Sequence, residues 1–384
     1  MKSPLPMALI GGSLQSAVGR THHIAARMDN RWRIVCGAFS RSPHVCSETA
    51  DALSLPASAA FTDYHEMLHR FAGRLAAVCV LVPTPQHAEI ICDVLQAGIP
   101  VISEKSLACS PAEVERIIAV RDAAHGKLAV TFNYSGYPAI RELRQMIAEG
   151  RLGSLIHVAA EMPQEGFIRW AGRPFQLPQP QPWRLTDGRL PTVSLDLGVH
   201  LHHLIGFVTG QHPVSVTACQ YSKGHFSEVT DSVHAMARYT DSLSVDLWYG
   251  KCFLGCANGL RIRVFGTEGS AEWLQLQPEV LQLSDRCGRI QLLTRSSTDA
   301  EVCGQPRYSR FKPGHPDGFL EAFANYYADL ADWVQSDTEQ DGTAADGGIA
   351  SAEMALEGLQ MMEAITESSR CGRWVDVGQH AYAV

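Results

Sequence analysis

A glycine-rich turn near the start of the chain is the first feature whose residue types suggest chemistry. Gly11, Gly12 and Ser13 directly follow the apolar segment MALI, and Gly19 comes six residues later. Glycines at such a point let the backbone turn tightly and approach a pyrophosphate, whose charge is favoured by the free N–H groups of the following helix, predicted over residues 19–28. The loop departs from the G-x-G-x-x-G pattern, because a serine replaces the second glycine and about three extra residues precede the last one. We predict a dinucleotide site here; the alternative is a glycine turn without a ligand.

The end of the second apolar segment bears on the choice between NAD and NADP. The segment ends GAFSRSP, with Ser40 and Arg41 where NAD-selective enzymes usually carry an acidic residue for the ribose hydroxyls. A hydroxyl and a guanidinium suit a 2′-phosphate, so the residues favour NADP. A solvated Arg41 without a ligand is the alternative.

The segment DLGVHLHH contains an aspartate and three histidines: Asp196, His200, His202 and His203. If the segment is helical, the four-residue spacing puts Asp196 and His200 on one face, where both can meet the same substrate. Histidine suits proton transfer because its unperturbed pKa lies near neutral pH. A zinc site is the alternative, but the three histidines do not share a helical face and no neighbouring carboxylate or cysteine completes a ligand set. We therefore predict no metal.

The elements that position these residues change in character near residue 150. Before it, continuous apolar runs alternate with helical patterns, which indicates a parallel sheet covered on both faces: MALIGG, RWRIVCGAFS, RLAAVCVLVP, AGIPVIS and GKLAVTFN. After it, runs such as VSVTACQ, SVHAMARY, SLSVDLWY, GLRIRVFG and SAEWLQLQ alternate, which predicts a mostly antiparallel sheet with one buried face. Two helical segments, FLEAFANYYADLADWV and ASAEMALEGLQMMEAITESS, follow and are expected to pack on one of the two domains.

The composition excludes several classes of protein. The chain has 384 residues and a formal net charge of −8, without the Lys and Arg cluster that a nucleic-acid partner requires. The start, MKSPLPMALIGG, has too short an apolar run for a signal peptide or a membrane span, so we expect a cytoplasmic protein with no membrane partner. The 11 cysteines are scattered and form no C-x-x-C pair, which favours buried free thiols.

Five motifs, in their order and spacing, resemble those of the Gfo/Idh/MocA oxidoreductases, the glucose-fructose oxidoreductase and inositol dehydrogenase family. They are LVPTPQHAEI (81–90), ISEKSL (102–107), FNYSGYPAIRELRQMIAEGRLGSL (132–155), WR (183–184) and DLGVHLHH (196–203). The resemblance spans most of the chain. It implies an α/β Rossmann NAD(P)-binding domain over residues 1–133 and an α+β domain with a large open, mostly antiparallel sheet over residues 134–384. The outer face of that sheet commonly forms an oligomer interface in this family, which implies a homodimer or homotetramer.

The same resemblance assigns the catalytic roles. The family's E-K-P motif falls on Glu104, Lys105 and Ser106, where serine replaces the usual proline and puts the cis bond of the turn in question. The lysine lies beside the nicotinamide and the reacting carbinol in such enzymes, where it can stabilise alkoxide character. The family's D-x-x-x-H motif makes His200 the acid/base and Asp196 the residue that orients the substrate. The upstream stretch, GRLPTVSL, lacks the family's glycines, which leaves the shape of the pocket open.

The remaining site residues also follow from the resemblance. The cofactor-binding set adds Pro83, Thr84, His87, Glu104, Lys105 and Asn133 to the glycine turn, Ser40 and Arg41. The substrate-binding set is Lys105, Tyr137, Trp183, Arg184, Asp196 and His200, with a packing role as the alternative for Tyr137 and Asn133.

The predicted function is an NAD(P)-dependent oxidoreductase that acts on a secondary alcohol of a small sugar, sugar derivative or cyclitol. The alternatives are an NAD(P)-binding regulator without turnover and a glycosidase that uses bound NAD, both known among relatives of the family, and a zinc hydrolase that uses the histidine cluster.

Overall fold

A computed structural model describes residues 3–173, 176–336 and 348–378, and the chain folds as two compact units. The first unit comprises the described residues of 1–136 and 319–356, and the second those of 137–318 and 357–384. The sequence division at 133/134 counts 319–356 with the second domain and leaves open which domain the C-terminal helices pack on. The structure places this segment in the first unit, because its apolar side chains fill that unit's core.

The described strands, in chain order, are β1 Leu5–Gly11, β2 Trp32–Ala38, β3 Ala77–Leu81, β4 Val101–Glu104, β5 Leu128–Thr131, β6 Leu155–Pro163, β7 Pro213–Tyr221, β8 Ser232–Tyr239, β9 Ser244–Gly250, β10 Arg261–Gly266, β11 Gly269–Leu274, β12 Leu281–Asp285, β13 Ile290–Leu293 and β14 Val375–Asp376. The described α-helices are α1 Ala17–Met28, α2 Pro43–Ala52, α3 Tyr64–Phe71, α4 His87–Gln96, α5 Pro111–Ala123, α6 Pro138–Ala148, α7 Val199–Thr209, α8 Phe319–Gln335 and α9 Ala352–Cys371.

The first unit contains the expected parallel sheet, with strand order β2-β1-β3-β4-β5. The apolar run of β5 is buried throughout, as in a sheet covered on both faces. The strand order reverses between β1 and β3. Loops diverge at the carboxyl ends of strands on the two sides of such a reversal, and α/β sheets bind their ligands in the crevice that results.

Helix α8 completes the core of the first unit. Its buried side chains include Phe323, Tyr326, Leu330 and Trp333, which belong to one cluster with residues of β1 to β5. Trp32 of β2 donates a hydrogen bond from Nε1 to the main-chain oxygen of Tyr327, at 2.8 Å. The first unit is therefore assembled from two distant parts of the sequence.

The second unit contains a nine-stranded sheet with the order β13-β12-β11-β10-β6-β9-β8-β7-β14. All neighbouring pairs are antiparallel except β6 and β9, which confirms the mostly antiparallel prediction. Buried and exposed side chains alternate along β8, so one face of the sheet is covered and the other open. No helix in the described ranges combines the length and the apolar character that a membrane span requires.

Candidate active site

The glycine turn lies at the carboxyl end of β1, next to the point between β1 and β3 where the strand order of the parallel sheet reverses. Gly11 and Gly12 have φ angles of 78° and 67°, which favour glycine. A Cβ atom on Gly19 would lie 2.4 Å from the carbonyl oxygen of Gly12 and 2.6 Å from that of Ser13. Only glycine therefore lets the helix pack this closely against the turn. Helix α1 begins at Ala17, two residues before the predicted start.

The N-terminus of α1 fits a phosphate group. Its first turn, from Ala17 to Arg20, contains no acidic side chain, and the capping Ser16 hydroxyl accepts from the backbone N–H of Gly19 at 3.2 Å. The partial positive charge of a helix N-terminus favours an anion. The turn and the helix together form the cradle that a dinucleotide pyrophosphate requires.

Replacing Gly19 with alanine is expected to weaken dinucleotide binding by about tenfold or more and to destabilise the fold by roughly 1–3 kcal/mol, because the new methyl group overlaps backbone atoms that have no room to move. The measurements are NAD(P)H fluorescence titration and thermal unfolding. Gly73→Ala is the matched control, because no atom of its surroundings lies within 4 Å of the added Cβ. Equal behaviour of the two variants would contradict the close packing.

Three buried polar atoms at the ends of β4 and β5 also point to a polar ligand. Ser106 Oγ, Thr131 Oγ1 and Asn133 Nδ2 have no hydrogen-bond partner among the described residues. Buried polar groups are almost always paired, so these atoms are suited to a ligand that brings its own donors and acceptors. Asn133, predicted to bind the cofactor, is thus a candidate amide donor to it. The glycine cradle and these atoms fit a nicotinamide dinucleotide.

Ser40 and Arg41 follow β2, as the sequence indicates. Ser40 Oγ accepts from the backbone N–H of Ser42 at 3.1 Å, and Arg41 is exposed. Its guanidinium is accessible to a ligand at the end of β2.

The loop after β3 contains Pro83 and Thr84, and His87 is the first residue of α4. Thr84 is buried in a short turn that leads into α4. The ring of His87 is buried, with Nδ1 2.9 Å from the main-chain oxygen of Ser106 and Nε2 2.8 Å from that of Val82. His87 therefore connects the loop after β3 to the turn after β4. This geometry favours a positioning role for His87 over the predicted contact with the cofactor.

Glu104 and Lys105 form the turn at the end of β4. The carboxylate of Glu104 accepts from His22 Nε2 at 3.0 Å and from the backbone N–H of Lys105 at 3.2 Å. The peptide bond from Lys105 to Ser106 is cis, although serine replaces the family's proline. Both oxygens of Glu104 are engaged by the protein, which favours a positioning role for this residue as well. Lys105 itself is partly exposed at the carboxyl edge of the sheet.

In the second unit, Asp196 and His200 lie on one continuous helical segment, as predicted. Residues Ser194–Gly198 form a single π-helical turn that leads directly into α7. The Ser194 hydroxyl lies 2.9 Å from the hydroxyl of Tyr249, which anchors this turn to β9. Widened turns of this kind often occur at functional sites. His200 follows on α7 and is 6% exposed.

The structure brings together three predicted substrate-binding residues. Arg184 donates a short hydrogen bond to the carboxylate of Asp196, and its guanidinium carbon lies 4.4 Å from the centre of the Trp183 ring. Lys251, directly after β9, donates a second short hydrogen bond to the same carboxylate oxygen. Asp196 is thus held by two cations. The sequence does not identify Lys251, because its strand ends far from Asp196 along the chain and no motif marks it.

Tyr137 lies in a different environment within the second unit. Its side chain is buried, its ring centre lies 5.0 Å from that of Trp273, and its hydroxyl accepts from Gln275 Nε2 at 3.2 Å. These contacts favour the packing alternative over a contact with substrate.

The other histidines of α7, and His212 shortly after it, have structural partners. His202 Nε2 lies 2.8 Å from one oxygen of Glu357, and His212 Nδ1 lies 2.8 Å from the other. The sequence finds no carboxylate near this cluster, because Glu357 is remote along the chain. Burial lowers the pKa of His203 to about 3, and its ring packs on Phe207. Within the described residues, no group of three or more His, Cys, Asp or Glu side chains is arranged to hold a metal ion.

Replacing Glu357 with glutamine is expected to destabilise the protein most between pH 4.5 and 6.5. Burial raises the pKa of Glu357, but the hydrogen bonds from His202 and His212 lower it from 4.5 to about 2. This stabilisation, on the order of 3 kcal/mol, is present above pH 4.5 and is lost as the pH falls towards 2. The hydrogen bond to Glu357 raises the pKa of His212 above 6.5, so that contribution is lost as the pH rises through the raised value.

Thermal unfolding across this pH range is the measurement. Glu268→Gln is the control, because Glu268 forms an exposed ion pair with Arg286 that is expected to contribute little. A pH-independent difference between wild type and Glu357→Gln would contradict the prediction.

Comparison with known proteins identifies the family. Residues 6–132 match the model of the oxidoreductase family with an NAD-binding Rossmann fold, and residues 140–272 match that of the GFO/IDH/MocA C-terminal domain. The chain is 26% identical to the uncharacterized oxidoreductase YfiI of Bacillus subtilis over 387 aligned residues, which cover 98% of each protein.

Two similar solved structures cover nearly the whole chain. An oxidoreductase from Sinorhizobium meliloti is 28% identical with a TM-score of 0.83, over 97% of this chain and 100% of that one. An inositol dehydrogenase homologue from Azotobacter vinelandii, solved with NADH and myo-inositol, is 25% identical with a TM-score of 0.87, over 98% of each chain. The chain therefore belongs to the Gfo/Idh/MocA family of oxidoreductases and is an NAD(P)-dependent dehydrogenase or reductase.

Proposed function

We propose that the protein transfers a hydride to or from a secondary alcohol carbon of a sugar, a sugar derivative or a cyclitol. One observation carries this proposal. In the first unit, hereafter the nucleotide-binding unit, Lys105 follows β4 at the same edge of the parallel sheet at which the glycine turn follows β1. A lysine at that edge is suited to a substrate oxygen beside the reacting end of a dinucleotide. The solved relative that contains myo-inositol supports a polyol as the substrate class.

Each proposed catalytic residue has one task. The nicotinamide, when bound, supplies the hydride chemistry. Lys105 donates a hydrogen bond to the substrate oxygen and stabilises its alkoxide character. His200 accepts the hydroxyl proton during oxidation and returns it during reduction. Asp196, already paired with Arg184 and Lys251, anchors and orients substrate hydroxyls.

Initial-rate spectrophotometry tests this function. Purified protein is assayed with NAD and NADP, and with NADH and NADPH for reduction, against sugars, sugar phosphates, nucleotide sugars and cyclitols or their ketones. A rate that depends on one polyol class is expected. Cofactor binding without any turnover would favour a regulator, and release of an aglycone without net reduction of the cofactor would favour a glycosidase.

The preference for NADP is proposed from Ser40 and the exposed Arg41. Arg41→Ala is expected to raise the dissociation constant for NADPH about tenfold and to leave that for NADH nearly unchanged, because it removes a charged hydrogen bond to the 2′-phosphate. Arg33→Ala, also an exposed arginine of the β2 region, is the charge-matched control. Tighter binding of NADH than of NADPH by the wild type would contradict the preference.

We also propose a homodimer or homotetramer that associates through the open face of the large sheet. This face exposes Met236 and Phe265, which are 54% and 38% exposed. Apolar side chains on an open sheet face favour association with another surface. Light scattering is expected to give two or four copies per particle, and a monomer would contradict the proposal. The 11 cysteines are all free thiols, which fits the proposed cytoplasmic location.

A further inference from the structure

Two adjacent histidines of α1 reach two different turns of the nucleotide-binding unit. His23 Nε2 lies 2.8 Å from the main-chain oxygen of Gly12 in the glycine turn. His22 Nε2 lies 3.0 Å from Oε1 of Glu104, whose other oxygen accepts from the backbone N–H of Lys105. One turn of one helix therefore contacts both the glycine turn and the turn that carries Lys105.

His22 is the centre of a buried network. It is 0% exposed, and its Nδ1 lies 2.6 Å from the hydroxyl of Tyr327 on α8. Cys79 Sγ of β3 lies 3.5 Å from the same hydroxyl. Burial lowers the pKa of His22, but Cys79 and Glu104 raise it more, to about 9. Both ring nitrogens are therefore hydrogen-bonded, Nδ1 with the Tyr327 hydroxyl and Nε2 with the Glu104 carboxylate.

The pKa of His23 shifts in the direction opposite to that of His22. Burial is the main cause that lowers its pKa, so the ring is neutral. Its Nδ1 has no partner among the described residues, which places the single N–H on Nε2, where it donates to Gly12. Hydrogen bonds thus fix both rings on the helix whose N-terminus belongs to the phosphate cradle.

We propose that His22 and His23 are positioning residues that couple the glycine turn to the Lys105 turn. The helix that receives the dinucleotide phosphates then also fixes the backbone that carries the catalytic lysine. This inference rests on the proposed function, since it takes Lys105 as the residue to be positioned. In this arrangement Glu104 accepts from the backbone N–H of Lys105, and the Tyr327 hydroxyl hydrogen-bonds to the other nitrogen of the His22 ring.

The test compares His22→Gln, Glu104→Gln and Tyr327→Phe in the full-length protein. Loss of the network is expected to lower kcat about 10- to 100-fold, because small misplacements of a catalytic group have effects of that size, with little change in the KM for substrate. The double variant His22→Gln/Glu104→Gln is expected to be no slower than the slower single variant, since both changes remove the same hydrogen bond, between His22 and Glu104. Additive losses would overturn the coupling.

Tyr326→Phe is the matched control for Tyr327→Phe. Tyr326 is the preceding residue of α8 and is equally buried, but its hydroxyl donates to the main-chain oxygen of Val130 and makes no hydrogen bond with His22. If the tyrosines had only a structural role, both variants would lose the same activity. A selective effect of Tyr327→Phe supports the inference even if His22→Gln does not fold.

NMR titration of the histidine rings provides a readout independent of turnover. The His22 signal, assigned by comparison with His22→Gln, is expected to titrate near pH 9 in the wild type. In Glu104→Gln it is expected to titrate at lower pH, and the Lys105 amide signal is expected to shift. A His22 that titrates near its ordinary value of 6.5 in both proteins would overturn the inference without bearing on the proposed reaction.

Discussion

Replacing Lys105 with methionine is expected to lower kcat about 100- to 1,000-fold while the protein still binds its dinucleotide. The loss follows because the ammonium group is the proposed donor to the substrate oxygen, and removal of one such donor has effects of this size in other enzymes. Methionine keeps much of the length of the side chain but none of its charge. The measurements are kcat for the preferred substrate and a fluorescence titration with NAD(P)H.

Lys223→Met is the control, because Lys223 is an exposed lysine of the second unit, above the ring of Tyr221. The expected result is full activity in this variant. Unchanged turnover of Lys105→Met, or a loss that is explained entirely by weaker cofactor binding, would remove Lys105 from the mechanism.

Replacing His200 with asparagine is expected to lower kcat about 100- to 10,000-fold, the range typical for loss of a general acid or base. Asparagine retains a polar side chain of similar reach but cannot exchange a proton near neutral pH. His203→Asn is the matched control, since it removes another buried histidine of the same helix. Equal losses of activity in both variants, with equal losses in thermal stability, would indicate that His200 serves only to pack α7.

Local patterns were sufficient to predict the parallel sheet and the glycine turn. Most residues of those strands are apolar and follow one another without alternation, because burial on both faces leaves a strong signal. The two helices after residue 318 were also predictable, and Gly372, with a φ of 66°, directly follows the second of them. Strand β6 was missing from the prediction, although it lies in the middle of the second sheet. Its residues, LIHVAAEMP, combine alanines with polar side chains and alternate weakly.

The sequence predicts which residues belong to the candidate sites better than it predicts the contacts that these residues make. Asp196 and Lys251 are 55 positions apart, and His22 and Tyr327 are 305 positions apart. No local pattern connects such pairs, since tertiary packing alone brings them together. The side chain of Glu104 is engaged by the protein for the same reason. A motif can therefore name the residue, while its role depends on partners that only the fold reveals.

The discontinuous first unit has a consequence for the order in which the chain can fold during synthesis. A ribosome that has translated residue 136 has delivered all five strands of the parallel sheet, but not the side chains of α8 that cover one of its faces. Nearly two hundred further residues, roughly 10–40 s of translation at about 5–20 residues per second, separate the sheet from its cover. The nascent sheet must remain incomplete during that interval, while residues 137–318 of the second unit are synthesised.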